Sequence, residues 1–421
     1  MENVGLVFQA CGGLILFFFL AWLFSENRKQ VNFKAAFLGF AIQVLLAIIV
    51  VKFSVVRDVF LGIGQGVMAL KDATIAGTSF VFGYVGGGGA PFTTTDPSKT
   101  FIFGFQGLPM VIVISALAML LFHWRILPFI VKIFSNVFQK TLGIGGALGV
   151  CAAAKMFLGQ TEAPLLVRPY LGKFTRSELF TVMTAGMATT SISIMVVYAI
   201  ILDGTVPDPI AHILTASIIS VPAAITISRI LIPQVGENTS GHLVVPYQFS
   251  GSMEAITQGT SDGVRLYVNI LAMLIVFLAI VAIVNSILGL FPTVGDEPMT
   301  LQLLLGYILA PLAWAIGIPW EEAVPAGALL GKKTILNEIV AFMGLAELPK
   351  NLLSVKSSII MTYALAGFAN FSSIAIQIGG IGTMVPERKQ EIISLGFKAM
   401  VAGTIASCMS GAIIGILYSF G

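Results

Sequence analysis

Charged residues are scarce in this chain. Of 421 residues only 10% are Asp, Glu, Lys or Arg, whereas 57% are hydrophobic. A soluble globular domain carries roughly 25% charged residues, so this chain has too few polar side chains to cover a water-facing surface. The composition excludes an ordinary soluble protein and indicates a polytopic α-helical membrane protein.

Cysteine and histidine are also rare, with three of each. Cys11, Cys151 and Cys408 lie in or beside apolar runs, which predicts small buried side chains rather than disulfides or metal ligands. The histidines lie near segment ends, and no nucleophile–base pair accompanies the polar positions described below. An intramembrane hydrolase is therefore a poor fit. We expect that the protein is not an enzyme, with no catalytic residue, metal or cofactor.

Long uncharged runs recur along the chain, and most reach the roughly 18–20 apolar residues that a spanning helix needs. They occupy residues 4–24, 35–51, 101–124, 179–202, 209–228, 266–295, 298–320, 357–386 and 399–421. About eight transmembrane helices are expected, with a less regular stretch before residue 85. The first run follows an acidic start without a basic leader, so a cleaved signal peptide is not expected.

Charged residues lie mainly in the segments between these runs. The basic segments are 25–34, 125–140, 168–176 and 386–391, and the acidic ones are 202–209 and 292–298. By the positive-inside rule the basic segments face the cytoplasm and the acidic ones the far side, with both termini outside. Because the basic residues are scattered at membrane borders, nucleic-acid binding has no support.

Two segments are too short and too polar to cross a membrane cleanly. Residues 143–176 have cytoplasmic-type charge at both ends, and residues 319–342 are interrupted by Pro319 and Pro325. Non-helical backbone at membrane depth needs surrounding protein or a water-filled cavity. Each segment is therefore expected to form a re-entrant helical hairpin.

Each hairpin follows an interfacial helix and precedes two spans, once from the inside and once from the outside. This order predicts an inverted repeat, which is typical of secondary transporters. It divides the chain into N-terminal transmembrane helices, largely scaffold, at 1–122, a first repeat at 123–235, a scaffold helix at 264–293 and a second repeat at 299–421.

Polar side chains fall where the hairpins turn and inside two long apolar runs. Gln160, Thr161 and Glu162 occupy the first turn, and Asn337 with Glu338 the second. A charge near the bilayer centre costs about 2.5–3.5 kcal/mol, so such residues are normally retained for a ligand, an ion or a partner. The alternative is that these carboxylates lie at a membrane border and are solvated.

The polar stretches inside these two runs are "MATTSISIMVVY" (187–198) and "GFANFSSIAI" (367–376). Their hydroxyls and amides either bind a ligand or a small cation, or hydrogen-bond within and between helices. With Phe368 as an aromatic wall, the whole set suits a neutral, polyhydroxylated ligand that carries a flat ring.

Four stretches, "GQTEAPLLVRPY", "SELFTVMTAGMAT", "NEIVAF" and "GFANFSSIAI", closely resemble in order the signature motifs of the concentrative nucleoside transporter family, in its bacterial type. The resemblance runs from about Ser25 through the last helix. It implies an elevator-type homotrimer in which scaffold helices hold a mobile transport domain with both hairpins. It also implies uptake of a uridine-like nucleoside by a multi-pass protein of an inner or plasma membrane.

The resemblance also assigns substrate contacts. The nucleobase would meet Gln160, Thr161 and Glu162, with Phe368 and Ile194 lining it. The ribose hydroxyls would meet Glu338, Asn370 and Ser373.

Lys155 departs from the family pattern, because sodium-coupled members carry an asparagine there that helps to ligate sodium. The other matching positions are Leu158, Thr189 and Thr190. An ammonium would repel sodium, so Lys155 either substitutes for it in an uncoupled carrier or binds and releases a driving proton. A third reading is that Lys155 turns away to the cytoplasmic interface. We favour proton coupling, with a sodium-coupled symporter or an uncoupled carrier as alternatives.

Two other classes of protein use polar groups at membrane depth. The paired hairpins argue against a gated channel. The lack of a metal cluster or of a phosphate-binding arginine set argues against an enzyme acting on a nucleotide-like lipid. The sequence gives no role to Glu321 and Glu322 and does not distinguish purines from pyrimidines.

Overall fold

The computed structural model describes residues 2–93, 100–244, 249–293, 298–349 and 351–419, and every regular element among them is a helix. Asp296 and Glu297, which contributed to the predicted topology, lie outside the described residues.

The N-terminal part contributes four helices: α1 (Glu2–Leu23), α2 (Phe33–Lys52), α3 (Ser54–Phe82) and α4 (Met110–His123). The prediction of a less regular stretch before residue 85 is wrong, because α3 is one helix of 29 residues. Its glycines and its charged pair Lys71–Asp72 lower its apolar content, but they leave the helical backbone intact.

The first repeat runs from an amphipathic helix through a hairpin to two spans. Its helices are α5 (Ile126–Leu142), α6 (Gly146–Ala154), α7 (Glu162–Leu165), α8 (Arg168–Leu171), α9 (Arg176–Ala188), α10 (Ile192–Ile201) and α11 (Pro209–Leu231). Hairpin 1 consists of α6, the turn 155–161, α7 and α8. Helices α9 and α10 form one span that is broken at residues 189–191.

Helix α12 (Ser252–Leu288) lies between the repeats and packs mainly against α4. It begins at Ser252, well before the predicted boundary at 264. Hydropathy hides this start, because Glu254, Asp262 and Arg265 interrupt its apolar character. Most of the apolar part of α12 is exposed on the single chain.

The second repeat has the same order of elements. Its helices are α13 (Leu301–Ala315), α14 (Trp320–Ile335), α15 (Glu338–Glu347), α16 (Val355–Leu365), α17 (Phe371–Met384) and α18 (Lys389–Ser419). The chain bends by 116° between α13 and α14. Hairpin 2 consists of α14 and α15, and α16 with α17 form a span that is broken at residues 366–370.

Seven described segments are long and apolar enough to cross a membrane, and the bent pair α13–α14 makes an eighth if it is counted as one span; α16 and α17 are shorter apolar helices. The predicted fold, an all-α polytopic membrane protein with two re-entrant hairpins in a repeat, is confirmed. Its core lies around α11 and α18, which are largely buried. Cys151 and Cys408 lie in this core, but the prediction for Cys11 is wrong, because its side chain is on an exposed face of α1.

Candidate functional site

Both hairpin turns and both broken spans open onto one cavity of about 480 Å³. All eight residues predicted to contact substrate line it: Gln160, Thr161, Glu162, Ile194, Glu338, Phe368, Asn370 and Ser373. Helix termini therefore surround the cavity on several sides. This is the arrangement of discontinuous helices that transporters use to present polar groups at membrane depth.

Hairpin 1 contributes a non-helical turn whose polar atoms are partly satisfied within the protein. The carboxylate of Glu162, the first residue of α7, accepts a hydrogen bond from the backbone N–H of Gly159 at 3.1 Å. The side-chain amide of Gln160 donates to Ser373 Oγ at 3.2 Å. A Cβ added at Gly380 would lie 2.2 Å from Thr161 Cγ2, so only glycine lets the turn lie this close to α17.

Hairpin 2 places Glu338 at the first position of α15, where only 4% of the residue is exposed. Asn337 caps this helix by accepting a hydrogen bond from the Val340 N–H at 3.0 Å. The positive end of the helix dipole favours a carboxylate at this position. Glu338 Oε1 also accepts from the Tyr198 hydroxyl, and Oε2 from Asn370 Nδ2, both at 2.8 Å.

Asn370 ends the break in the α16–α17 span and serves two purposes. Its Oδ1 caps α17 by accepting from the Ser373 N–H at 2.8 Å, while its Nδ2 donates to Glu338. Gly367 lets this break lie against the end of α9, since a Cβ there would lie 2.9 Å from the carbonyl oxygen of Ala188. The local fold of the break therefore fixes the position of Asn370.

Helix α12 forms the remaining wall. It contributes Leu266, Ile270, Ala272 and Met273, together with the polar Asn269. This wall is mostly apolar, whereas the hairpins and the breaks supply most of the hydrogen-bonding groups. The cavity thus offers apolar contact on one side and polar contact on the other.

Lys155 does not line this cavity, but it is fully buried beside it in the turn of hairpin 1. Its ammonium donates a hydrogen bond to the carbonyl oxygen of Gly159 at 3.1 Å. The reading in which Lys155 turns away to the cytoplasmic interface is therefore wrong.

The other predicted ion-site residues lie around the same turn. Leu158 lines a smaller cavity of about 100 Å³ that it shares with Glu162 and with Asp262 of α12. The Thr189 hydroxyl donates back to the Ala185 carbonyl at 2.7 Å. It therefore hydrogen-bonds to its own helix, which was the alternative to binding a ligand or a cation. Ser217 Oγ lies within hydrogen-bond distance of the Met156 and Thr190 carbonyls, at 3.3 and 3.4 Å, so the turn lies against the break in α9–α10.

Sequence reasoning missed several buried polar residues near the site. Tyr198 gave no signal, because a single tyrosine in an apolar helix is ordinary. Gln377 and Lys333 could have been found, since amides and ammonium groups inside apolar segments mark functional positions. Lys333 is fully buried in hairpin 2 and donates to the Ala364 carbonyl at 2.7 Å and to Ser407 Oγ at 3.0 Å. Each hairpin thus contains a fully buried lysine whose ammonium donates a hydrogen bond to a main-chain carbonyl.

Comparison with known proteins identifies the family. Models described as the N-terminus and C-terminus of Na⁺-dependent nucleoside transporters match residues 12–85 and 212–415, and a nucleoside recognition model matches 105–204. The nucleoside permease NupC of Helicobacter pylori is 35% identical over 411 residues, which cover 96% of each chain. The chain belongs to the concentrative nucleoside transporter family.

Other relatives of this transporter cover the same length. The uncharacterized transporter YutK of Bacillus subtilis is 35% identical over 413 residues, covering 96% of this chain and 98% of that protein. A solved structure of CNTnw, in an inward-facing substrate-bound state, matches with a TM-score of 0.90 and 31% identity over 99% of both chains. A CNTnw variant in an outward-facing state matches with a TM-score of 0.89, 31% identity and 98% coverage of both chains. The chain is therefore a multi-pass membrane transporter and not an enzyme.

Proposed function

We propose that this transporter is a secondary active carrier that imports uridine-like nucleosides across an inner or plasma membrane, driven by a cation gradient. The supporting observation is the convergence of both hairpins and both broken spans on one cavity. Its volume of about 480 Å³ lies within the roughly 300–1,000 Å³ of typical small-molecule sites. A cavity with one polar and one apolar side suits a ligand that joins a sugar to a flat base.

The ribose would bind at Glu338, Asn370 and Ser373. The Glu338 carboxylate already accepts one hydrogen bond on each oxygen, and each oxygen has a further lone pair. Two vicinal hydroxyls of a ribose could occupy those lone pairs as charge-assisted hydrogen bonds, which are the strong kind. Tyr198 and Asn370 hold the carboxylate in place for them.

The base would bind between Gln160, Thr161 and Glu162 on one side and Phe368 and Ile194 on the other. An amide, a hydroxyl and a carboxylate together offer both donors and acceptors, as the edge of a nucleobase requires. The aromatic ring of Phe368 offers a face for stacking.

The ammonium of Lys155 would occupy the site that the coupling cation takes in the transport cycle. Its burial and its bond to the Gly159 carbonyl support an ammonium in the place of a metal ion. We favour a proton that binds to and leaves this amine as the coupling ion. The family models are named for Na⁺-dependent transport, so a sodium-coupled symporter remains the first alternative and an uncoupled carrier the second.

The assembly would be a homotrimer in which α12 and the N-terminal helices form the scaffold and the two repeats carry the substrate. The exposed apolar side of α12 supports a role at a subunit or lipid interface. Among the described residues that line the cavity, those of α12 belong to neither repeat. This supports an elevator-like shift in which the two repeats move past α12.

Uptake of radiolabelled uridine into proteoliposomes tests the proposal under a sodium gradient and, separately, under a proton gradient. Accumulation driven by protons alone is the expected result. Accumulation driven by sodium would replace the proton by sodium as coupling ion, and equilibration without accumulation would indicate an uncoupled carrier. No saturable uptake by the purified protein would overturn the nucleoside assignment.

A further inference from the structure

A second cavity, of about 320 Å³, lies apart from the substrate cavity and shares no lining residue with it. It is bounded by the start of α2, the end of α5, the last turns of α11 and the segment 233–238 that follows α11. The basic segments 25–34 and 125–140, which predict the cytoplasmic side, adjoin the first two of these elements. The cavity therefore lies at the predicted cytoplasmic border of the membrane.

The wall of this cavity carries one cation and several amides. Among the described residues that line it, Arg229 of α11 has the only charged side chain. The amides belong to Gln30, Asn32, Gln234 and Asn238. Within the described part of the chain no carboxylate lines the cavity, so its lining is suited to an anion.

Hydrogen bonds hold Arg229 in this wall and leave part of its guanidinium without a partner. Nη1 donates to the carbonyl oxygens of Leu142 and Gly143 at 3.1 and 3.5 Å, and Nη2 donates to Asn238 Oδ1 at 3.2 Å. The three residues that accept these bonds also line the cavity. Because a guanidinium has five N–H donors, at least two have no acceptor among the described residues, and that of the buried Nε is one of them.

Glu178 is the described carboxylate whose charge acts on Arg229, but its hydrogen-bonding capacity is used elsewhere. Its oxygens accept from the Thr175 N–H at 2.9 Å and from the N–H and the hydroxyl of Thr239 at 2.8 and 2.7 Å. Glu178 does not line the cavity. The free donors of Arg229 can therefore meet an anion that the chain itself does not supply.

We propose that this cavity binds a phosphate group, carried either by a phospholipid headgroup or by free phosphate in the cytoplasm. The planar fork of donors on Arg229 matches the oxygens of a phosphate. Asn32 can add a donor, since its Oδ1 caps α2 by accepting from the Ala35 N–H at 3.1 Å and leaves Nδ2 free. Basic pockets between transmembrane helices on the cytoplasmic side are typical sites for anionic lipid headgroups. This site is distinct from the substrate cavity and goes beyond the proposed function.

Two variants test the site in different ways. Arg229→Gln removes the charge, whereas Asn238→Asp keeps the side-chain shape and the acceptor for Arg229 Nη2 but brings a carboxylate that repels phosphate. Each should weaken the binding of radiolabelled inorganic phosphate at least tenfold, measured by equilibrium dialysis of the purified protein in detergent. Lys34→Gln and Asn351→Asp are the matched controls. They change the charge in the same way at exposed residues outside the cavity, and they should bind phosphate as the unaltered protein does.

Native mass spectrometry with added phosphatidylglycerol distinguishes the two sources of phosphate. Saturable binding of inorganic phosphate that Asn238→Asp loses supports a site for free phosphate. Phosphatidylglycerol adducts that Asn238→Asp loses, without binding of inorganic phosphate, support a site for a lipid headgroup. This variant decides the question even if Arg229→Gln fails to fold, because size-exclusion chromatography shows whether each protein is intact.

Two results would overturn the proposal. One is that the unaltered protein binds neither inorganic phosphate nor phosphatidylglycerol, and the other is that Asn238→Asp binds them as strongly as Asn351→Asp does. Neither measurement involves uridine. A failure of the nucleoside assignment would therefore appear as absent uridine uptake by the unaltered protein, with phosphate binding unchanged.

Discussion

The Tyr198 hydroxyl donates a 2.8 Å hydrogen bond to Glu338, although the two residues lie 140 positions apart in the chain. The Tyr198 ring also packs on Phe342, one helical turn after Glu338, with ring centroids 4.7 Å apart. Helix α10 of the first repeat is thus tied to hairpin 2 of the second by a polar and an apolar contact. The orientation of the Glu338 carboxylate depends on both repeats.

Replacing Glu338 by Gln should reduce uridine uptake roughly 100-fold, because hydrogen bonds to a charged group contribute about 1.5–3 kcal/mol and two are expected to ribose. Uptake into proteoliposomes measures the loss, and size-exclusion chromatography verifies that the variant is folded. Uptake equal to that of the unaltered protein would refute the assignment of Glu338 to the ribose.

Replacing Tyr198 by Phe should raise the KM for uridine about tenfold and change the maximal rate much less. Phenylalanine retains the packing on Phe342 and loses only the bond that orients the carboxylate. Tyr307→Phe, at an exposed tyrosine, is the matched control. An equal KM in both variants would show that the Tyr198 hydroxyl does not position Glu338 for the substrate.

Replacing Lys155 by Asn should make uptake depend on sodium if the ammonium substitutes for that ion. The change removes the buried amine that bonds to the Gly159 carbonyl and supplies an amide oxygen, a ligand suited to hard cations. Uptake measured across sodium concentrations, with choline as the replacement cation, reveals the change. An ion profile identical to that of the unaltered protein would argue against the substitution of sodium by Lys155.

Glu26, in the segment between α1 and α2, should stabilise the fold in a pH-dependent way. Its hydrogen bonds with Arg176, at 2.9 and 3.0 Å, and with Lys398, at 2.7 Å, lower its pKa from 4.5 to about 2, although partial burial acts in the opposite direction. The folded state therefore favours the carboxylate. The resulting stability is fully present above pH 4.5 and is lost as the pH falls towards 2.

Glu26→Gln should accordingly lower the melting temperature at pH 7 by about 1–2 °C, because a partly exposed ion pair contributes at most about 1 kcal/mol. Thermal unfolding in detergent at a series of pH values measures this. The difference should shrink below pH 4.5, and Glu237→Gln, at an exposed carboxylate, should show none. A difference that persists undiminished at the lowest pH would contradict an electrostatic origin.

Local chemistry explains which parts of the fold could be predicted. The hairpins were predictable, because Pro319, Pro325 and the polar turn residues cannot cross a bilayer, and the structure places the turns at the expected positions. The helix α3 and the start of α12 were not predictable from hydropathy. Glycines and charged residues lower the mean hydropathy of α3 and of the first turns of α12 without breaking the helical backbone. The gathering of all eight predicted contacts in one cavity was expected from motif resemblance; their roles stay predictions.

Tyr198 and Gln377 show the limit of sequence reasoning more clearly. Tyr198 hydrogen-bonds to Glu338 across 140 positions of the chain, and the local sequence of α10 does not predict this contact. Gln377 does satisfy the criterion of a polar residue in an apolar run, but its hydrogen-bond partner, the Met183 carbonyl, lies on another helix. Both depend on how the two repeats pack together.

The apolar wall that α12 contributes has a practical consequence for drug-like nucleoside analogues. Its residues Ile270, Ala272 and Met273 belong to neither hairpin and make no part of the hydrogen-bonded framework around Glu338. Under the proposed binding mode, enlarging or trimming them should change the room in the cavity while leaving the hydrogen bonds around Glu338 intact. Tolerance for bulky analogues should then be adjustable on α12 separately from the polar contacts of the hairpins.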